Sequence, residues 1–70
     1  MERKGVSSSK IRSVGHDAAS QVLEVEFNNG TVMQYWRVSA DLHRRLMRAG
    51  SVASFFEDHI QDAFSEKRVR

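Results

Sequence analysis

From Val22 to Phe27 the chain alternates: Leu23, Val25 and Phe27 are apolar, while Glu24 and Glu26 are charged. A period of two marks a strand with one buried face and one wet face. Asn28, Asn29 and Gly30 follow and tolerate positive φ, and Thr31 to Val38 is rich in β-branched and aromatic residues. The stretch predicts a β-hairpin. Two turns compete for it. A two-residue Asn29-Gly30 turn pairs Phe27 with Val32 and puts Gln34 on the apolar face. A three-residue loop closed by Gly30 as a bulge pairs Phe27 with Thr31, Val25 with Met33 and Leu23 with Tyr35. A slip of one residue flips every side chain, so the apolar pattern decides the register. It favours the three-residue loop, which gathers Leu23, Val25, Phe27, Met33 and Tyr35 on one face. Val22, Val32 and Trp36 then share the other face with Glu24, Glu26 and Gln34.

The flanks read as material that covers the apolar face. Residues 1–9 are polar and predict a flexible segment. Ile11 to His16 predicts a short strand, whose apolar spacing of three asks for a bulge near Ser13-Val14-Gly15. Asp17 to Ser20 turns the chain into the hairpin. Ser39 is an N-cap residue, with Asp41 in the following turn. Leu42, Leu46 and Ala49 form the buried stripe of a helix from about Ala40 to Ala49, and Gly50 is placed to end it. Ser51 caps a second helix to about Phe64, with a stripe of Val52, Phe55 or Phe56, Ile60, Ala63 and Phe64. Residues 65–70 read as a frayed basic tail. The expectation is one α+β domain over 10–64: a three-stranded antiparallel meander packed on one face by two C-terminal helices.

Length and composition narrow the function classes. A chain of 70 residues buries roughly 60% of its unfolded surface, which argues against a deep catalytic cleft. With no Cys, disulfides, thiol nucleophiles and Cys-based zinc sites are excluded. That absence fits a reducing compartment. No apolar run approaches the ~20 residues of a membrane span, and the basic N-terminus lacks the apolar core of a secretory signal. The expected setting is cytoplasmic. The net charge of +2 and pI near 9.5 are mildly basic, but the charges are segregated. Arg3, Lys4, Lys10 and Arg12 open the chain, Arg44, Arg45 and Arg48 follow His43, and Glu57, Asp58 and Asp62 cluster later. The molecule should present two electrostatic faces.

Candidate chemistry is sparse. Arg44, Arg45 and Arg48 lie on the outer side of the first helix, as either a solvated face or a phosphate-contacting one. Arg12 and the basic tail could extend that patch. Trp36 falls on the open sheet face. There it either stacks single-stranded bases or lies under the N-terminal segment or a second protomer. Tyr35 and Met33 read as core. His16, His43 and His59 sit on different elements with no metal-ligand spacing, Asp58 and His59 diverge on a helix, and Ser51 has no nucleophile elbow. The sequence therefore predicts no enzyme, metal or cofactor.

Ser8-x-x-Ile11, Gly15-His16-Asp17, Leu23-x-Val25-x-Phe27-x-x-Gly30, Tyr35, Val38, Leu46, Ala49 and Ser51-x-x-x-Phe55-Phe56-x-x-x-Ile60 together resemble the KTSC domain. This is a small bacterial and phage domain named after the C-terminus of some lysyl-tRNA synthetases. The resemblance spans roughly Ser8 to Phe64. It departs at Met33 (a tyrosine in the family's pattern), His16 (an aromatic), Ser39 (Pro), Ala53 (Gly), Glu57 (Asn) and Phe64 (Tyr). The resemblance implies RNA binding. The resulting expectation is a non-catalytic module for RNA or another nucleic acid through Arg12, Trp36, Arg44, Arg45 and Arg48, with no membrane or metal partner. Its rival is a protein-interaction or self-association module built on the sheet face around Trp36.

Overall fold

The structure, a computed structural model, describes residues 2–70. Five strands form one sheet in chain order, every neighbouring pair antiparallel. They are β1 (Arg3–Gly5), β2 (Ile11–Asp17), β3 (Val22–Phe27), β4 (Val32–Trp36) and β5 (Glu66–Arg68). Helices α1 (Ala40–Arg48) and α2 (Val52–His59) connect β4 to β5.

The hairpin adopts the three-residue loop. Leu23 faces Tyr35, Val25 faces Met33 and Glu24 faces Gln34. The Phe27 amide donates to Thr31 O at 2.8 Å and the Gly30 amide to Phe27 O at 3.0 Å. Gly30 sits at φ +91°, a region that costs an L side chain energy and glycine little. The register sends Leu23, Val25 and Tyr35 into a core with Ile11, Val14, Val38, Leu46, Val52, Phe56 and Ile60. Phe56 is the buried member of the Phe55/Phe56 pair. It meets Phe27 and Tyr35 edge-on, at centroid distances of 5.7 and 5.3 Å. Edge-to-face pairs of this kind add about 0.5–1.5 kcal/mol each beyond burial.

Both helices begin as the sequence predicts. The Ser39 hydroxyl accepts from the Leu42 amide and the Ser51 hydroxyl from the Ser54 amide. Their ends differ. α1 stops with Ala49 in extended backbone, and Gly50 does not take positive φ. α2 closes at His59, not near Phe64, because the chain must reverse to reach the β4 edge. Asp62 makes that turn at φ 65°. The irregularity in β2 falls between Ile11 and Ser13, one step before its expected place, so Arg12 is the extra residue.

The three-stranded meander is the main correction. β1 pairs with β2, and β5 pairs with β4, both from segments outside the expected 10–64 body. Neither strand has an apolar alternation, and charge is what holds their flanks. Arg3 Nη1 meets Glu24 Oε2 at 2.6 Å, and Arg70 Nη2 meets Glu26 Oε2 at 3.4 Å. Gly15 lets β1 dock, because a Cβ there would lie 2.5 Å from Glu2 O and 3.0 Å from Arg3 Cγ. Gly15→Ala should therefore cost about 1–3 kcal/mol of unfolding free energy and speed amide exchange selectively in β1. Denaturant titration with hydrogen exchange checks this, and unchanged β1 protection would contradict the docking account.

Candidate nucleic-acid interface

The two faces of the sheet differ in chemistry. On the face away from the helices, Glu24 and Glu26 sit side by side and little exposed. Glu24 accepts from Arg3 and from Gln34 Nε2 at 3.0 Å. Glu26 accepts from Ser13 at 2.9 Å, with Arg12, Arg70 and Arg3 within 3.4–3.8 Å. Burial pulls the Glu24 carboxyl up, but the hydrogen bonds from Gln34 and Arg3 outweigh it and hold its pKa below the ordinary value. Two carboxylates are thus neutralised by arginines from β1, the β2 bulge and the C-terminal end. The arginines there are engaged, and the cation on this face without a carboxylate partner among the described residues is Lys67, opposite Gln34.

Arg12 belongs to this network. Its guanidinium donates to Asn28 O at 2.9 Å and lies 3.6 Å from Glu26. Trp36 is on the same side of the sheet, paired with Val22 and 39% exposed. The N-terminal strand does not cover it; β1 lies at the opposite edge of the sheet.

Arg44, Arg45 and Arg48 occupy the helix side. The i, i+1, i+4 spacing puts them within one broad face of α1, opposite the stripe of Leu42 and buried Leu46. Arg44 pairs with Asp41 at 3.2 Å, both largely in solvent, an arrangement of little energetic weight. Arg45 and Arg48 have no carboxylate partner among the described residues. The five expected site residues therefore fall on opposite sides of the sheet: Arg12 and Trp36 on one, at opposite ends of β3, and Arg44, Arg45 and Arg48 together on the other.

Sequence reasoning missed a feature between β1, β2 and α1. His16 and His43 stack there with centroids 5.0 Å apart and ring planes at 10°. His16 Nε2 lies 2.6 Å from Val38 O. A carbonyl only accepts, so Nε2 carries the proton. The rings flank a groove of about 680 Å³ that also takes in Lys4, Val14, Arg44 and Met47. His16, standing where the family's pattern has an aromatic, was the one signal of this stack in the sequence. On the far side of the core, burial first and then the carboxylates of Glu66 and Asp62 push the Tyr35 hydroxyl up to about 12. It stays a neutral core phenol. Among the described residues no group of side chains could hold a metal ion, and no helix is long and apolar enough to cross a membrane.

The KTSC domain family matches residues 7–64. The chain belongs to that family. It is 38% identical over 56 residues to an uncharacterized protein of Stutzerimonas stutzeri (strain A1501), covering 80% of this chain and 79% of that one. The crystal structure of a KTSC domain protein from Yersinia pestis superposes with a TM-score of 0.93 at 34% identity, covering 99% and 97% of the two chains. In this KTSC domain, β1 and β5 are therefore set in a sheet whose whole extent has a solved counterpart.

Burial, then His16 and then Arg44, hold the His43 imidazole below its ordinary value of 6.5. The unfolded chain thus takes up this proton first as pH falls. The stability tied to neutral His43 is complete above 6.5 and is lost as pH drops through the lower folded value. The thermal midpoint should fall between pH 7 and 5.5, and less steeply in His43→Phe, which keeps a ring but cannot protonate. Calorimetry across that window checks it; identical slopes would exclude the stack as a titrating contact.

Proposed function

We propose that this KTSC domain is a non-catalytic binding module for nucleic acid, which it holds by the phosphate backbone along the outer face of α1. Arg44, Arg45 and Arg48 carry the contact. The observation behind this reading is the unpartnered charge of Arg45 and Arg48 on a helix where Asp41 is the sole acid. The arginines of the opposite face are already committed to Glu24 and Glu26. Guanidinium groups suit phosphate because their donors form a planar fork and stay charged at every working pH. Such contacts give affinity with little sequence discrimination. Arg12 and Trp36, on the other side of the sheet, lie outside this surface.

The exposed Trp36 favours a separate, second reading: a protein contact or self-association through the open sheet face, where Val69 is also exposed. The two readings differ in salt response. Each phosphate contact adds about 0.7–0.9 to the slope of log K against log salt, whereas apolar association is not weakened by added salt.

Arg45→Ala with Arg48→Ala should lower that slope by roughly 1.4–1.8 for a mixed-sequence RNA and leave the thermal midpoint in place. Trp36 fluorescence should stay constant through the same titration. An unchanged slope and affinity in the double variant removes the α1 reading. Salt-insensitive self-association of the native chain, lost in Trp36→Ala, would move the function to the sheet face.

A further inference from the structure

The groove between β1 and α1 differs from the outer face of α1 in that two elements supply its cations. Lys4 pairs with Val14 across the β1–β2 ladder, so its side chain leaves the sheet on the helix side, as that of Val14 does. It lines the groove from β1, and Arg44 lines it from α1. Lys4 is exposed and has no carboxylate partner among the described residues. Arg44 gives up only its solvent-exposed contact with Asp41. Met47, Ala18 and Ala40 supply its apolar surface, and the stacked His16–His43 pair flanks it. The His43 ring nitrogens have no protein partner among the hydrogen bonds of the described residues. A volume of about 680 Å³ lies within the usual span of small-ligand sites, roughly 300–1,000 Å³.

We propose that this groove is a binding site for the terminal phosphate monoester of a nucleotide, with the phosphate between Lys4 and Arg44 and the base or sugar against Met47 and Ala40. Charge decides between a monoester and a diester. A monoester carries about −1.5 to −2 charges near neutral pH and an internal diester one. Lys4 and Arg44 together match the former, and the exposed Glu2, which also lines the groove, is the one carboxylate a bound phosphate must avoid. The free imidazole edge of His43 offers a further hydrogen bond to a phosphate oxygen. Methionine suits the apolar part because its unbranched thioether adapts to irregular shapes. The phosphate belongs either to a free mononucleotide or to the 5′ end of a polynucleotide. The polynucleotide source rests on the α1 reading above; the phosphate site does not.

The test follows the Met47 methyl and His43 ring resonances of the full chain by NMR. The probes are adenosine 5′-monophosphate, adenosine, and one short single-stranded RNA prepared with a 5′-phosphate or a 5′-hydroxyl. The nucleotide and the phosphorylated RNA should shift both resonances, and adenosine should not. The phosphorylated RNA should bind about tenfold tighter than the hydroxyl form, the weight of one charge-assisted hydrogen bond. Lys4→Gln keeps the aliphatic stem without the charge. It should erase that difference while leaving the affinity for the hydroxyl RNA and the thermal midpoint as they are. Resonances that stay in place with the nucleotide and with both RNAs overturn the site. So does full discrimination in Lys4→Gln. Equal, salt-sensitive binding of the two RNAs sinks the groove and leaves the α1 reading standing. Shifts with the nucleotide, with neither RNA bound, support the groove with a free nucleotide as its source and sink the α1 reading.

Discussion

The register of the β3–β4 hairpin is the constraint on which the rest of this molecule depends. Gly30 at φ +91° closes a three-residue loop. That one backbone conformation decides which side of the sheet every following side chain occupies. With Leu23, Val25 and Tyr35 turned toward the helices, Glu24 and Glu26 are forced onto the other face. Two adjacent carboxylates there require counter-charges, and the chain supplies them from both of its ends. The terminal strands are therefore consequences of the hairpin register as much as of their own sequence.

This division explains what was legible beforehand. The hairpin, the N-caps at Ser39 and Ser51 and the stripe of Leu46, Val52, Phe56 and Ile60 follow from local rules, because their signals lie within a few residues of one another. β1 and β5 do not. Each is a three-residue run without an apolar side chain, Arg-Lys-Gly in β1 and Glu-Lys-Arg in β5. The ion pairs at or beside them span long stretches of sequence, 21 residues for Arg3 with Glu24 and 44 for Arg70, just past β5, with Glu26. A trace of them was nonetheless present: two glutamates on the wet face of one strand ask for cations that the three-stranded scheme did not provide. The early end of α2 was illegible for a related reason. The apolar stripe continues to Phe64, but the need to reach the β4 edge overrides it at Asp62.

The candidate site was legible in part. The arginines of α1 were readable as an exposed face because Leu42 and Leu46 fix the opposite side of the helix. Arg12 was grouped with them on charge alone. A strand side chain's face depends on bulge position, and the bulge fell at Arg12 itself. The His16–His43 stack joins a strand to a helix with the hairpin between them in sequence, so no spacing rule could announce it. Family membership adds the fold at high structural similarity and leaves the chemistry of the surface to be argued from these residues.

The way the edges are held has a mechanical consequence. The central strands adhere to the helices through Leu23, Val25, Tyr35, Leu46 and Phe56, contacts that dissolved ions do not weaken. Beyond its backbone pairing, β1 is tied down by partly solvated ion pairs between Arg3 and the glutamates, which dissolved ions do weaken. The molecule thus has two separable modes of coming apart. Ionic strength loosens its rim, and chaotropes dissolve its centre. Since Lys4 lines the groove from β1, the shape of that groove is coupled to the salt around it.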